Sequence, residues 1–190
     1  MNQSVDLEVL SQAKPYVDKK RRLWMLGIVV PNIANTVLLG YQFGPKSTKK
    51  LFAFAGPLVL HVIIPSIDKM MGVDPDNPPE QAIADLEDDP YYARVVKLFI
   101  PFQYAANIYG LYLASKKSTP LADQIGIGHM LGVVNGVAIN TAHELSHKPG
   151  KLEHYLSHLA LAPTGYNHFR IEHPYGHHRR VATPEDSASS

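Results

Sequence analysis

The chain has 190 residues, enough for one domain of ordinary size. It contains no cysteine, which excludes disulfides, thiolate zinc sites and thiolate iron–sulfur clusters and leaves nitrogen and oxygen as the only ligands for a metal. A net charge of +1 gives no reason to expect nucleic-acid binding. Mean hydropathy is slightly negative, low for a membrane protein, although polar loops and a polar tail lower the mean around apolar runs.

Residues 1–22 are polar and end in Lys19-Lys20-Arg21-Arg22. The apolar run that follows is long and no small-residue cleavage site closes it, so 23–43 reads as a retained span rather than a signal peptide. Pro31, Asn32 and Asn35 interrupt it, which membrane helices tolerate when neighbours satisfy the freed backbone groups. A second run, 51–71, contains Pro57, Pro65 and His61. Each run is near the ~20 residues needed to cross about 30 Å of hydrocarbon, and together they read as a transmembrane hairpin. The alternative is a pair of buried helices in a soluble bundle.

The density of Pro and Asp in 73–90 predicts a loop, with a short surface helix over 81–86. A third span is predicted at 95–114, carrying Pro101, Tyr104, Tyr109 and Tyr112. A fourth is predicted at 121–142, where Gly126, Gly128, Gly132 and Gly136 are expected to permit close helix packing. The expected class is an all-α integral membrane bundle of about four helices. Lys14, Lys19, Lys20, Arg21, Arg22, Lys69, Arg94, Lys148, Lys151, Arg170, Arg179 and Arg180 fall on the N-terminal side of such a bundle. Only Lys46, Lys49, Lys50, Lys116 and Lys117 fall opposite. This bias places the N-terminus in the cytoplasm, and four crossings return the 143–190 region to the same side.

That region carries the chemistry. Nine of the ten histidines lie between His129 and His178, and clustered imidazole is a metal-ligand signal. His143 and His147 are one helical turn apart and can address one metal. His173 and His177 repeat the spacing, and His178, about 100° further round a helix, can face a second metal. His143-Glu144-Leu145-Ser146-His147 also fits the zinc-protease pattern. Such a protease needs one further ligand and an open position, and Glu172-His173-Pro174-Tyr175-Gly176-His177-His178 has no role in it. Three more imidazoles fit a larger all-nitrogen site, and imidazole suits iron. Glu144 and Glu172 are candidates to orient imidazole N–H groups. His168 is a candidate for an outer position. His154 and His158 read as the polar face of an interfacial helix. His61 and His129 read either as functional intramembrane groups or as hydrogen-bonded histidines.

Asn140-Thr141-Ala142-His143-Glu144-Leu145-Ser146-His147-Lys148 resembles the first His box of the membrane-bound alkane 1-monooxygenases. Glu172 to Ser190, with Gly176-His177-His178-Arg179-Arg180-Val181-Ala182-Thr183-Pro184-Glu185-Asp186, resembles their second, except that Ser187 stands where proline is expected. Tyr16-Val17-Asp18-Lys19-Lys20 and Asn77-Pro78-Pro79-Glu80 are also similar to the family. The resemblance implies a membrane bundle related to the fatty-acid desaturase architecture, in a bacterial inner membrane with the His boxes cytoplasmic. It implies two iron ions with His143, His147, His173, His177 and His178 among their ligands. It further implies hydroxylation of the terminal carbon of a medium- or long-chain alkane by O2, with electrons from rubredoxin, its reductase and NADH. Because it covers only the first half of the family, a third His box, a His-Tyr-Gly segment and two further spans are expected to be missing, and the chain alone is expected to be inactive. The competing readings are a membrane fatty-acid desaturase or hydroxylase, an intramembrane zinc protease and an inert membrane fragment. The desaturases and hydroxylases usually carry a tighter His-x-x-His-His spacing.

Overall fold

The computed structural model describes residues 16–186. Lys14 and Ser187 lie outside the described residues. All regular structure among the described residues is helical. A 3-10 turn, Arg21–Met25, feeds helix α1, Leu26–Phe43. Helix α2, Lys49–Ala53, is followed after Phe54 by α3, Ala55–Met71, with a bend of 51° between the two pieces and a π-helical turn at Val59–Ile63. The surface helix α4 is Glu80–Asp88, and α5, Pro90–Ser115, and α6, Leu121–Ser146, are the two long rods. Helix α7, Lys151–Leu161, leads to a last helical stretch made of Phe169–Ile171, a π-helical Glu172–His177 and His178–Arg180.

Asparagine side chains bond backbone carbonyls beside the prolines of α1 and α5. Asn35 Nδ2 donates to Pro31 O (2.9 Å) and, across the helix pair, to Phe102 O (3.0 Å). Asn32 Nδ2 donates to Ile28 O at 2.9 Å. Both helices stay continuous through Pro31 and Pro101.

Helices α1, α5 and α6 pack around one apolar core that includes Leu38, Phe99, Ala106, Leu113, Ile127, Val134 and Ala138. A second cluster, of Ile100, Ala142, Leu145, Ala160 and Leu161, lies at the His end and seats α7. Apolar side chains such as Val29, Ile33, Leu39, Ile108 and Leu111 point outward. In water this would be costly, and in lipid it is the expected surface.

By length and composition, Arg21–Phe43 and Leu121–Ser146 can each cross a bilayer, and Lys46–Ala53 with Ala55–Met71 makes a third crossing if the bent pair is one span. The run expected at 95–114 lies inside α5, which has the length but is not among the helices apolar enough to cross on composition alone. The physical reason is on its inner face. Gln103 (0% exposed) and Asn107 are buried and meet Asn135 of α6. Gln103 Nε2 and Asn107 Nδ2 both donate to Asn135 Oδ1, at 3.0 and 2.9 Å, and Asn135 Nδ2 returns a bond to Asn107 Oδ1 at 2.9 Å. Polar groups paired in this way join helices in a bundle while lowering the hydropathy of the segment.

The glycine expectation holds at one of its four positions. A Cβ on Gly126 would stand 2.4 Å from Ala53 O, so here α2 touches the α6 backbone. A Cβ on Gly128, Gly132 or Gly136 would meet nothing within 4 Å, and these three lie on the open side of α6. The counterpart contact is Gly56 of α3, where a Cβ would stand 2.5 Å from Met130 Cβ.

Candidate metal centre

Helix α6 ends at Ser146 because Pro149 and Gly150 follow, and His143 and His147 occupy its last turn and its cap. Their Nε2 atoms are 3.2 Å apart. Helix α7 then folds back along the bundle. Lys97 and Glu153 form an ion pair, Gln103 Nε2 donates to Ala160 O (3.0 Å), Tyr104 Oη donates to Leu159 O (2.9 Å) and Ser157 Oγ donates to Ala142 O (2.9 Å). With α7 held there, the last helical stretch returns to the end of α6. It brings His173 and His178, with Nε2 atoms 2.9 Å apart, against the first pair.

One ligand atom from each of His143, His147, His173 and His178 lies within 4.8 Å of the other three. The ring centroids of His143 and His173 are 4.5 Å apart, and those of His147 and His178 are 4.9 Å apart. Nitrogens at about 2.0–2.1 Å from a metal are separated by about 2.9 Å at a right angle and about 3.3 Å at a tetrahedral angle. The Nε2 separations within the two pairs match those edges, and a four-imidazole donor set suits a divalent metal.

Electrostatics favour ligand-ready rings. Burial, followed by the neighbouring His143 and His178, pushes His173 down to about 4. Burial first, and then His143, also lowers His147. At neutral pH these two rings therefore keep their lone pairs. His143 Nδ1 lies 3.1 Å from Glu144 Oε1 while its Nε2 faces His147. The carboxylate thus orients the ring in the manner of an outer metal partner. A cleft of about 910 Å³ opens beside Glu144 and His147, and Glu87, Asp88 and Asp89 on its wall favour the approach of cations.

The other candidates are placed differently. His177 is outside the four-nitrogen group. Its Nδ1 lies 2.8 Å from Asp186 Oδ2, and its ring stacks on His173 at 5.4 Å. Glu172 lies over Gly176, its Oε2 2.9 Å from where a Cβ would stand. His168 packs edge-on against Tyr166 at 4.4 Å. His154 and His158 sit on α7 away from the group, His158 Nδ1 3.4 Å from Asn167 Oδ1. His61 and His129 pair with each other. Sequence reasoning missed Asp186 as a site residue. Nine positions from His177, it shares no helical period with that ring, and only the turn after Arg180 brings the two together.

No family model matches the chain. Individual proteins do. The alkane 1-monooxygenase of Acinetobacter baylyi is 58% identical over 185 residues, covering 96% of this chain and 45% of its own length. This chain is homologous to the alkane 1-monooxygenases. Those of Alcanivorax borkumensis (38% over 175 residues, 92% of this chain and 43% of theirs) and Pseudomonas putida (37% over 182 residues, 96% and 44%) extend the homology. The chain thus spans less than half the length of the alkane 1-monooxygenases it matches. The matched stretch takes in the interior His boxes from His143 to His178.

Proposed function

We propose that the chain supplies part of the metal centre of a membrane enzyme that hydroxylates the terminal carbon of a medium- or long-chain alkane. The observation that carries this reading is the convergence of His143, His147, His173 and His178 at the end of an apolar helical bundle, in a chain 58% identical to an alkane 1-monooxygenase. The net reaction consumes the alkane, O2, two electrons and two protons, and releases a primary alcohol and water. Rubredoxin, reduced through its reductase by NADH, is the proposed electron source. Two iron ions bound here would activate O2 for attack on an unreactive C–H bond.

The residues of the chain have separable tasks. His143, His147, His173 and His178 supply nitrogen lone pairs, and His177 supplies a fifth toward the second ion. Glu144 accepts a hydrogen bond from His143 Nδ1–H and keeps Nε2 turned inward. The apolar bundle admits a substrate with no polar handle and leaves water outside. The polar face of α5 is buried against α6, and its neighbours α1 and α6 have membrane-crossing length and composition. On this basis α5 crosses with them, giving four spans, with the N-terminus and the His boxes on the cytoplasmic side of a bacterial inner membrane. A single zinc ion held by all four nitrogens would have no open position for water, which counts against the protease reading.

The test joins this chain to the downstream part of the Acinetobacter baylyi relative and assays octane oxidation to 1-octanol with rubredoxin, its reductase and NADH. Turnover that disappears on His143→Ala and on His173→Ala, with iron in the purified protein, is the expected result. A chimera that binds only zinc, or that hydroxylates equally well without these histidines, would overturn the reading. The 190-residue chain alone is expected to bind metal substoichiometrically, one ion at the four converging nitrogens rather than two, and to turn nothing over, because five imidazoles leave two irons under-ligated.

A further inference from the structure

We propose that Asp186 is a positioning residue of the metal centre, which holds the His177 ring so that Nε2 is the nitrogen offered to a metal. The inference rests on the reading of the His cluster as a metal centre. Asp186 is 3% exposed, and its Oδ2 lies 2.8 Å from His177 Nδ1. A buried carboxylate is costly unless it is hydrogen-bonded, and the ring N–H is a donor of the right kind. An imidazole that donates Nδ1–H to a carboxylate keeps its lone pair on Nε2, and the tautomer is thereby fixed.

The local backbone is built to make this contact. After Arg180 the chain reverses. Thr183 N donates to Arg180 O at 2.9 Å, and Asp186 N donates to Thr183 O at 3.1 Å. Between them Ala182 takes a left-handed conformation with φ of 63°. Alanine rarely adopts that conformation, and such residues persist where the surroundings over-determine them. The reversal returns Asp186 to the flank of His177. On the other side the His177 ring stacks on His173 at 5.4 Å with an interplanar angle of 24°. The ring is therefore held from two sides, by a ligand of the four-nitrogen group and by a buried acceptor. Glu144 stands in the same relation to His143, at 3.1 Å but in a more exposed position. The two halves of the centre thus each carry one carboxylate on one imidazole Nδ1.

The experiment titrates the 190-residue chain in detergent with Co2+ and follows the visible absorption of imidazole-ligated cobalt. It compares wild type, Asp186→Asn, Asp186→Glu, His177→Ala and the double variant Asp186→Asn/His177→Ala. Asp186→Asn is expected to weaken Co2+ binding by about 10-fold or more, the usual effect of losing an outer partner. Asp186→Glu, which keeps the carboxylate, should bind more tightly than Asp186→Asn. In the His177→Ala background, Asp186→Asn should add nothing, a result that a merely structural role would not produce. Equal binding by Asp186→Asn and wild type, or an equal loss in both backgrounds, would overturn the proposal. If Asp186→Asn does not fold, Asp186→Glu decides: binding no better than that of His177→Ala overturns it. Absence of any imidazole-type cobalt spectrum in the wild type would instead overturn the metal-centre reading itself, and the role of Asp186 with it.

Discussion

His61 Nε2 lies 3.3 Å from His129 Nε2, which ties the π-helical turn of α3 to the middle of α6. One nitrogen must donate and the other accept, so the pair shares a single hydrogen bond. Cross-helix hydrogen bonds in membranes contribute about 0.6 kcal/mol on average and about 1.7 at most. His61→Ala and His129→Ala are each expected to lower the unfolding free energy by an amount in that range, with no further loss in the double variant. Cobalt titration of the same proteins should be unchanged. Loss of cobalt binding by either variant would make this pair part of the metal centre.

The four-nitrogen group makes a sharper division. His143→Ala and His173→Ala should each lower Co2+ affinity by more than about 100-fold, beyond the range typical of an outer partner. His154→Ala and His158→Ala should leave it intact, because α7 carries these rings away from the group. Equal losses for all four variants would mean that the site is assembled differently.

The low value for His173 has a stability consequence. In the unfolded chain this ring titrates near its ordinary 6.5, and in the folded chain near about 4. Between those values the unfolded state binds more protons. The stabilisation is therefore fully present above about pH 6.5 and is lost as pH falls through about 4. Thermal unfolding in detergent should be level from neutral to mildly alkaline pH and decline on the acid side. His173→Phe, which cannot protonate, should flatten that decline. An acid limb unchanged by His173→Phe would assign it to other groups.

Much of this was legible in the sequence. Apolar run length located the helices to within a few residues, because hydrocarbon thickness imposes a length on any span. The four converging histidines were legible because two short, His-dense segments have few ways to avoid each other at the end of one bundle. The role of α5 was harder to read. Its hydropathy falls because of Gln103 and Asn107, and the partner that satisfies them, Asn135, is 28 residues or more away in sequence. The glycines of α6 misled for a related reason. Periodicity reports which positions share a face but not which face meets a neighbour, and Gly126 is on a different face from Gly128, Gly132 and Gly136. The 143–147 and 173–178 boxes announced themselves by composition. Asp186, an acid in a polar tail, did not.

Helix contact at Gly126 yields the next expectation. A Cβ there stands 2.4 Å from a backbone oxygen of Ala53, which cannot rotate away. Gly126→Leu is expected to destabilise the chain by about 1–3 kcal/mol, the usual cost of overpacking. Gly132→Leu, with open space before it, should cause no such loss. Thermal melts of the two variants in one detergent make the comparison.

Orientation is open to direct chemistry, since the chain has no cysteine of its own. With four crossings, Ser47→Cys should react with an impermeant maleimide added outside intact cells, and Thr183→Cys should react only after lysis. Labelling of Thr183→Cys from outside would remove the cytoplasmic placement of the His boxes.

The latching of α7 imposes an order on biosynthesis. His143 and His147 leave the ribosome thirty residues ahead of His173 and His177, and two imidazoles alone hold a metal poorly. Four nitrogens come together only after Glu153, Ser157 and Ala160 have found Lys97, Ala142 and Gln103 on helices that must already be side by side. If the four-nitrogen group holds a metal as proposed, capture would follow assembly of the bundle.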